Sequence, residues 1–534
     1  MKKLLTVLLS LALVFSFSAC TGSNTNKDDT NGTNENNVIG TNIVLSDSGI
    51  TADGEAVTDD DTKDIYIAND IVFYLEGQGF TYGAGESEDE HSQAEADAHT
   101  VLHITAPGTY TLSGKLSAGQ IAIDLGEDAA DDPEAVVTLV LNGVDITCTV
   151  APGIIFYNVY ECGPSDEENA TKDVDTSAAG ANIIIADGTE NTVNGSYVAK
   201  IYKSYTLNAE GTEVEDSKKL HKYDGAVYSK MSMNVNGGEE GTGVLNINAE
   251  NEGLDSELHL TINGGTINIT AGNDGINTNE DGISVTTVNG GTLNILVTGT
   301  TGEGDGIDSN GWLIINGGSV ISQACSSSGD AGIDSDNGIY INGGTVIATG
   351  NMLDAIAGAE QNYAVFTVSG RVNGGDYTIR NADGDEIASF TLTNSFTYLI
   401  FSSPELEEGE LKLMSGDTQI GTAQASTTGM MQGPGFGGGP GMPGGGAGFG
   451  GEFDPENMPE GAQGRPERPE GGPGFGGDFD PDNMPEGEDG RPEKPDGEPG
   501  FGGEFDPDNM PEGAEGGPDS GGENDTETED KANV

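Results

Sequence analysis

Residues 305–318 read Asp-Gly-Ile-Asp-Ser-Asn-Gly-Trp-Leu-Ile-Ile-Asn-Gly-Gly. The stretch joins an acidic Gly-Ile-Asp-Ser step, a short apolar run and an Asn-Gly-Gly turn. The acidic step recurs, with small changes, in the stretches that begin at Glu252, Asp274 and Asp330. The Asn-Gly-Gly turns recur at steps of 27, 26, 27 and 26 residues, beginning at Asn236, Asn263, Asn289, Asn316 and Asn342. Such regular spacing indicates a repeat protein.

The repeats predict a β architecture. Each is too short to bury a core alone, so stacked coils must share one interior. Apolar residues alternate within the repeats, as in 266–269 and 292–295, which is the period of a half-buried strand. Helical repeat arrays need helical spacing, and calcium-binding nonapeptide rolls need a nine-residue period, so neither fits. We therefore predict an all-β fold, a right-handed parallel β-helix (solenoid), over residues 41–360.

The segments on either side have a different character. Residues 361–428 alternate without the repeat phrase, which predicts a small C-terminal antiparallel β unit that caps the solenoid. Residues 429–534 are rich in Gly, Pro and acidic residues and cannot bury enough apolar surface to fold alone. We predict that this tail is disordered, and it is a possible contact for a protein partner.

The N-terminus predicts export. Lys2 and Lys3 precede an apolar stretch that ends in Ser18-Ala19-Cys20, which resembles a bacterial lipobox. Residues 1–20 are accordingly predicted to be a lipoprotein signal peptide, with Cys20 as the lipidated residue. Residues 21–40 are polar and Asn-rich, as in a flexible tether. The predicted location is the outer face of the cell membrane, reached through the lipid anchor alone.

Charge and cysteine content limit the partners. The formal charge of −70 argues against nucleic acid, because phosphate binding needs clustered Lys and Arg. Cys148 and Cys162 are the only close pair of cysteines after Cys20, and the sequence leaves open whether they form a disulfide. We expect a monomer.

The acidic steps predict a metal site. Equivalent positions in successive coils lie ~4.8 Å apart, so two carboxylates there repel by ~3 kcal/mol at an effective dielectric near 20. Residues 241–360 contain 15 Asp or Glu and no Lys or Arg, so protein cations cannot offset this locally. Ca²⁺ accepts carboxylate, amide and carbonyl oxygens. The alternative is that the acids are solvated turn residues. The repeat predicts two polar columns, one that holds Glu252, Asp274 and Asp305 and another that holds Asp255, Asn277, Asp308 and Asp334. With Asp330, these residues are the predicted ligands.

Two further features predict a sugar-binding surface. A group of lysines, among them Lys218, Lys219, Lys222 and Lys230, borders the acidic columns and could hold the carboxylates of an acidic sugar, although a solvated loop is the alternative. If Leu260 and Leu313 point inward, His259 and Trp312 share one outward column and Thr261, Ile314 and Tyr340 share the next. Trp312 and Tyr340 could then stack on a sugar ring.

Several phrases resemble a known family. The run 224–230, the coils described above and the segments 138–147 and 186–192 are similar to exported bacterial carbohydrate-binding domain-containing β-helix proteins. The resemblance covers roughly residues 100 to 410. That family is similar in fold to family 9 pectate lyases, and the resemblance implies bound calcium and binding to plant cell-wall polysaccharides, cellulosic or acidic.

Three functions follow as hypotheses. The first is a surface-anchored, calcium-stabilised protein that binds polysaccharide without catalysis. The second is a calcium-dependent polysaccharide (pectate) lyase with Lys230 as the base, since no Lys or Arg lies between residues 231 and 370. The third is an envelope adhesin or structural protein that acts through its acidic tail. We favour binding without catalysis.

Overall fold

The computed structural model describes residues 40–428. The predicted signal peptide, Cys20, nearly all of the tether and the acidic tail lie outside this range. Within it the chain is nearly all β, with one short α-helix, Gln93–Ala96, and one 3-10 helix, Ala129–Asp131. No helix in this range is long and apolar enough to cross a membrane.

The strands of the N-terminal half are β1 (Thr41–Leu45), β2 (Thr51–Ala52), β3 (Glu55–Ala56), β4 (Ile65–Ala68), β5 (Thr100–Ile104), β6 (Gly108–Leu116), β7 (Gly119–Asp124), β8 (Val137–Thr147), β9 (Ile154–Asn158), β10 (Ala181–Ile185), β11 (Glu190–Gly195), β12 (Val198–Leu207) and β13 (Val214–Tyr223). The strands of the repeat region are β14 (Gly225–Ser229), β15 (Met233–Gly237), β16 (Val244–Ala249), β17 (Glu252–Ser256), β18 (Leu260–Ile262), β19 (Thr266–Ala271), β20 (Ile276–Thr278), β21 (Val285–Val288), β22 (Thr292–Val297), β23 (Ile307–Ser309), β24 (Trp312–Ile315), β25 (Ser319–Gln323), β26 (Gly338–Ile341), β27 (Thr345–Gly350) and β28 (Ile356–Ala359). The C-terminal strands are β29 (Tyr363–Val372), β30 (Gly375–Asn381), β31 (Glu386–Leu392), β32 (Phe396–Ser402), β33 (Gly409–Ser415) and β34 (Thr418–Ala425).

Three parallel ladders organise the repeat region. The first runs through β15, β18, β21, β24, β26 and β28, and the second through β16, β19, β22, β25 and β27. The third runs through β14, β17, β20 and β23. Consecutive strands along the chain therefore belong to different ladders, and the chain returns to the same ladder after one repeat. The largest sheet is almost closed as a result.

One apolar core lies among the three ladders. Leu254 of the third ladder, Leu260 of the first and Ile267 of the second have no exposed surface and belong to the same cluster. The inward position expected for Leu260 and Leu313 is thus observed. At the turns, Gly291 and Gly318 have φ of +86° and +81°, and a Cβ atom on Gly318 would lie 2.8 Å from the Gly291 oxygen. Glycine is therefore required where the turns stack.

Two antiparallel units adjoin the ladders. Strands β12 and β13 form a hairpin immediately before the repeats. At the C-terminal side β32 pairs antiparallel with β27, while β31, β30, β33 and β34 form a separate antiparallel sheet. These strands share a second apolar cluster. The last strand of the second ladder is consequently covered by antiparallel pairing rather than left as an open edge.

Candidate metal centre and binding cleft

Three buried carboxylates meet on the outer side of the third ladder. Asp224 follows the hairpin directly, and Glu252 and Asp255 belong to β17. One oxygen from each lies within 4.8 Å of the others. Asp255 has no exposed surface, and Asp224 and Glu252 expose only 6% and 5%. Because Leu254 lies in the core, strand alternation directs Asp255 outward, beneath the hairpin.

The cluster contains oxygens without a hydrogen-bond partner in the described residues. These atoms are Glu252 Oε2, Asp255 Oδ2 and Asn277 Oδ1. The other oxygens are engaged: Asn277 Nδ2 donates to Glu252 Oε1 at 3.1 Å, and Asn279 Nδ2 donates to Asp255 Oδ1 at 2.7 Å. Buried oxygens without partners carry a desolvation penalty, which a bound cation or a proton would offset.

Electrostatics support the same reading of the cluster. Burial raises the pKa of Glu252 and of Asp255 well above the usual range, and neighbouring carboxylates raise both further. The cation in contact is Lys222, whose Nζ lies 2.5 Å from Asp224 Oδ2. One lysine cannot balance three carboxylates. The donor set of carboxylate and amide oxygens fits a hard divalent cation such as Ca²⁺.

The remaining predicted ligands, called here the second group, lie in the next coils. Among the described residues, no three of their oxygens meet as closely as those of Asp224, Glu252 and Asp255. Asp274 Oδ1 accepts from the Asp305 amide at 2.6 Å, and Asp305 Oδ1 accepts from the Ala331 amide at 2.5 Å. Asp330 Oδ2 accepts from the Gly304 amide at 2.6 Å. These carboxylates therefore join one coil to the next through the backbone.

The carboxylates of this second group are also hard to ionise. Burial raises the pKa of Asp274 to about 7, of Asp305 to about 9, of Asp308 to about 6 and of Asp334 to about 7. Three members of the predicted column, Asp255, Asn277 and Asp308, are register partners across β17, β20 and β23, whereas the fourth, Asp334, lies outside the strands. Lys222 is not among the causes of these four shifts. Together these groups would accumulate negative charge at neutral pH unless a cation or protons were bound.

A cleft of about 840 Å³ opens beside the buried carboxylates. Segments far apart in sequence line it, namely β7, β9, the loop after β9, the end of the hairpin, and the starts of the first coils. Its basic side chains are Lys219, Lys222 and Lys230, and its acidic side chains are Asp124, Asp131, Glu161, Glu257 and Glu280. A neighbouring cavity of about 440 Å³ shares Lys219, Lys222 and Glu257, so the cleft continues toward Asn310.

Aromatic rings and one ion pair shape the cleft floor. Tyr223 packs edge-on against Tyr157 and Tyr228, with centroids 5.6 Å and 5.0 Å apart. Tyr228 donates its hydroxyl to Glu257 Oε1 at 2.6 Å, and Lys219 Nζ lies 2.6 Å from the same oxygen. Lys219 thus fixes the hairpin to the coil wall, whereas Lys222 pairs with Asp224, two residues further along the chain.

Lys230 differs from the other two lysines of the cleft. Its Nζ donates to Asn158 Oδ1 at 3.2 Å, and it has no carboxylate partner among the described ion pairs. Lys230 is exposed to solvent, whereas Glu257, the partner of Lys219, is buried. It is the cleft cation best placed to meet an anionic ligand from solvent.

The other predicted sugar contacts lie elsewhere. Lys218 is exposed on the hairpin and does not line the cleft. Trp312 and Tyr340 lie half-buried on β24 and β26 of the first ladder. His259 is equivalent to Trp312, as expected, but it has no exposed surface because the loop at Gly163 and Pro164 covers it. His259 therefore occupies the expected outward position, but it is not available to a ligand.

Sequence reasoning missed several residues of the site. Asp224 begins an earlier acidic-Gly step, but Gly225 pairs with Glu252, so the step is displaced by one residue from the repeat. That displaced copy was the available signal. Nothing in the local sequence marks Tyr157 and Asn158 as cleft residues, because only the packing of β9 in the folded chain brings them to the cleft. Cys148, Cys162 and Cys325 are free thiols.

Comparison with known proteins gives the family. A family model described as "Carbohydrate-binding domain-containing protein" matches residues 98–418, which are 321 of the 534 residues. A protein of Acetivibrio thermocellus with the same description is 31% identical over 171 residues, covering 32% of this chain and 45% of the relative. The aligned part thus spans less than half of that relative's length.

One solved structure also aligns, that of "the polysaccharide lyase-like protein from C. thermocellum, Gadolinium derivative". It is 20% identical, with a TM-score of 0.31, over 60% of this chain and 93% of the other. No inference about this chain rests on that likeness. The family match, in contrast, covers most of the chain and agrees with the resemblance seen in the sequence. The chain belongs to the family of carbohydrate-binding domain-containing proteins.

Proposed function

We propose that this protein is a calcium-stabilised, non-catalytic carbohydrate-binding protein held at the cell surface. The observation that carries the proposal is the position of Lys222, which lines the cleft and also pairs with Asp224 of the buried carboxylates. Charge at the metal centre and the shape of the cleft are therefore coupled through one side chain. Membership of the family supports a carbohydrate as the ligand.

The proposed architecture is a right-handed parallel β-helix. Three parallel ladders around one apolar core support it. Each ladder joins parallel neighbours through a connection of one coil, and such connections are right-handed in nearly all proteins. In this architecture every coil presents equivalent side chains at the same place, which is what a long polymer needs from its binding surface.

The proposed cation is Ca²⁺, held by Asp224, Glu252, Asp255 and Asn277. Its chemical contribution is to neutralise the carboxylates and to offer further coordination to ligand oxygens. Asp274, Asp305, Asp308, Asp330 and Asp334 form the second proposed group. With the carboxylates neutralised, Lys219 would still hold the hairpin to the coil wall, because its partner Glu257 is not one of the proposed ligands.

The proposed ligand of the cleft is a plant cell-wall type polysaccharide, and the lysines favour acidic units. Lys230 would bind a uronate carboxylate, while the tyrosine rings provide apolar surface for the sugar face. The cleft contains five acidic side chains against three lysines, so it would bind an acidic glycan poorly without a cation. Calcium dependence of binding follows from this balance.

The proposal includes the lipid anchor at Cys20, which lies outside the described residues. It would keep the bound polysaccharide against the cell. Replacement of Cys20 by Ser should release the protein from the membrane fraction without changing its affinity for glycans. A protein that stays in the membrane fraction after this change would contradict the anchor.

A panel of immobilised glycans tests the function. The full chain should be retained on polygalacturonate in calcium and released by a chelator. Lys230→Ala should weaken retention, whereas Lys203→Ala, an exposed lysine of the same hairpin outside the cleft, should not. Retention that is equal with and without chelator, or absent on every glycan, would contradict the proposal.

The same substrate separates binding from lyase activity. A lyase that uses Lys230 as base would generate unsaturated products, which absorb in the ultraviolet. We expect no increase in absorbance on polygalacturonate in calcium. An increase that disappears in Lys230→Ala would establish the enzyme instead.

A further inference from the structure

A second concave surface lies on the first ladder, away from the tyrosine-lined cleft. It has a volume of about 430 Å³. We call it the asparagine trough; the residues that define it are Asn263, Asn289, Asn316 and Asn342 on one side, residues 172–177 on the other, and Thr287 and Ile314 on the floor. The Asn-Gly-Gly turns, which first indicated the repeat, supply one whole side.

The asparagine side is a regular row of amides. Nδ2 of each asparagine donates to Oδ1 of its counterpart in the preceding coil at 2.9 Å, from Asn342 back to Asn236. An amide nitrogen has two hydrogens and the amide oxygen two lone pairs. Within residues 40–428 these side chains make no other hydrogen bond. The row therefore leaves a donor and an acceptor at each coil step.

The opposite side is held in place. Thr176 Oγ lies 2.7 Å from both Asn234 Oδ1 and Thr261 Oγ1, and Asn234 Nδ2 donates to the Thr176 carbonyl at 2.7 Å. At the other end of the segment, Lys172 Nζ lies 5.3 Å from the ring centroid of Tyr340. The two ends of the loop thus contact coils at opposite ends of the floor.

The floor is aligned with the row. Thr261, Thr287 and Ile314, which line the trough, are successive register partners in the first ladder, and Tyr340 follows them in the next coil, outside the lining. The trough consequently runs along the direction in which coils stack, and its four asparagines span three steps of ~4.8 Å. A sugar unit of an extended polysaccharide is about as long as one step, so successive units would meet successive amides.

Charge decides which sugars fit. The trough has one cation, Lys172, and two carboxylates, Asp173 and Asp175. Lys172 is paired with Asp173 at 2.7 Å, and Asp175 accepts from the Ser177 amide at 3.0 Å. The surface offers hydrogen bonds and an apolar floor but no free cation, which suits hydroxyl groups and disfavours carboxylates.

We propose that the asparagine trough binds an extended, uncharged polysaccharide, independently of the cleft. This inference rests on the proposed function in taking glycans as the ligands of the protein. The protein would then hold two kinds of chain at once, acidic at the cleft and neutral at the trough.

Calorimetry on the full chain in calcium tests the trough, with cellohexaose as the neutral probe and an oligogalacturonate as the acidic probe. Thr287→Arg fills the floor, and Ser177→Arg obstructs the trough from its exposed loop. Each should lower the affinity for cellohexaose at least tenfold and leave oligogalacturonate binding unchanged. Thr270→Arg, at an exposed threonine of the second ladder, should change neither affinity.

The outcomes separate the two proposals. Unchanged cellohexaose affinity in both Thr287→Arg and Ser177→Arg, or an equal loss in Thr270→Arg, would overturn the trough alone. Lys230→Ala should weaken oligogalacturonate binding but not cellohexaose binding, and loss of both would also overturn the trough. If the unaltered protein bound neither probe, the proposed function would be overturned, and the trough with it.

Discussion

Replacement of Asp255 by Asn should stabilise the protein without calcium and destabilise it with calcium. The substitution removes one charge from the three carboxylates and keeps an oxygen for Asn279, which donates to Asp255 Oδ1. The new amide group can donate to the neighbouring carboxylates. In calcium the same change removes a ligand from the proposed metal centre. The sign of the effect should therefore reverse with the cation.

The magnitude without calcium follows from the distances within the cluster. Oxygens 4.8 Å apart repel by ~3.5 kcal/mol per ionised pair at an effective dielectric near 20, and Asp255 takes part in two pairs, which gives ~7 kcal/mol. Burial and the neighbouring carboxylates raise the pKa of Asp255, so proton uptake relieves part of this repulsion. The gain on removing the charge is therefore positive and at most ~7 kcal/mol.

Thermal unfolding at pH 8 measures this directly. With chelator, the Tm of Asp255→Asn should exceed that of the unaltered protein, and each kcal/mol gained moves Tm by a few degrees or less in a chain of this size. In millimolar calcium the order should be reversed. Glu239→Gln, at an exposed carboxylate of the repeat region away from the buried acids, is the control and should change neither value. An equal decrease of Tm in both conditions would refute the reasoning.

Three further predictions concern stability. Burial raises the pKa of Asp274 to about 7 and of Asp305 to about 9, so the contribution of these protonated carboxyls to stability is present at low pH and is lost as pH rises. With chelator, Tm should therefore fall between pH 5 and 9, and calcium should flatten the dependence of Tm on pH. A Tm that does not change with pH in chelator would contradict this. Asn289→Ala breaks two hydrogen bonds in the row of asparagine amides and should lower the free energy of denaturant unfolding by about 1–3 kcal/mol. Asn337→Ala should be neutral. Equal effects of the two changes would argue against a stabilising role of the amide row. Lys219→Ala should lower the free energy of unfolding by about 1 kcal/mol, because its partner Glu257 is buried while the lysine is partly exposed. The same change should lower the affinity for polygalacturonate. Lys219→Arg should restore both stability and affinity, and failure of that rescue would argue against the ion pair.

The periodic residues were the predictable part of the molecule. The spacing of the phrase correctly predicted that Asp255, Asn277 and Asp308 would share one column, and the inward position supposed for Leu260 and Leu313 is observed. A nearly all-β class followed from the same alternation. These features depend on the repeat alone, so one sequence was sufficient to derive them.

The parts that depend on long-range packing were not predictable. The cleft joins β9 to the end of β13 and the first coils, and alternation contains no information about which loops cover which strands. His259 has the pattern of an outward residue, yet the loop at Pro164 buries it. Asp224 stands one residue out of register with the repeat, so the period did not include it. Trp312 and Tyr340 were grouped with the lysines, although they lie on a different ladder.

The most direct test of the account is glycan affinity measured as a function of free calcium. Protein freed of metal should bind oligogalacturonate weakly, and its affinity should rise with calcium to saturation at the same concentrations that raise Tm. In Asp255→Asn both curves should move together to higher calcium. Affinity that does not depend on calcium, or that rises while Tm stays constant, would contradict the coupling of the buried carboxylates to the cleft.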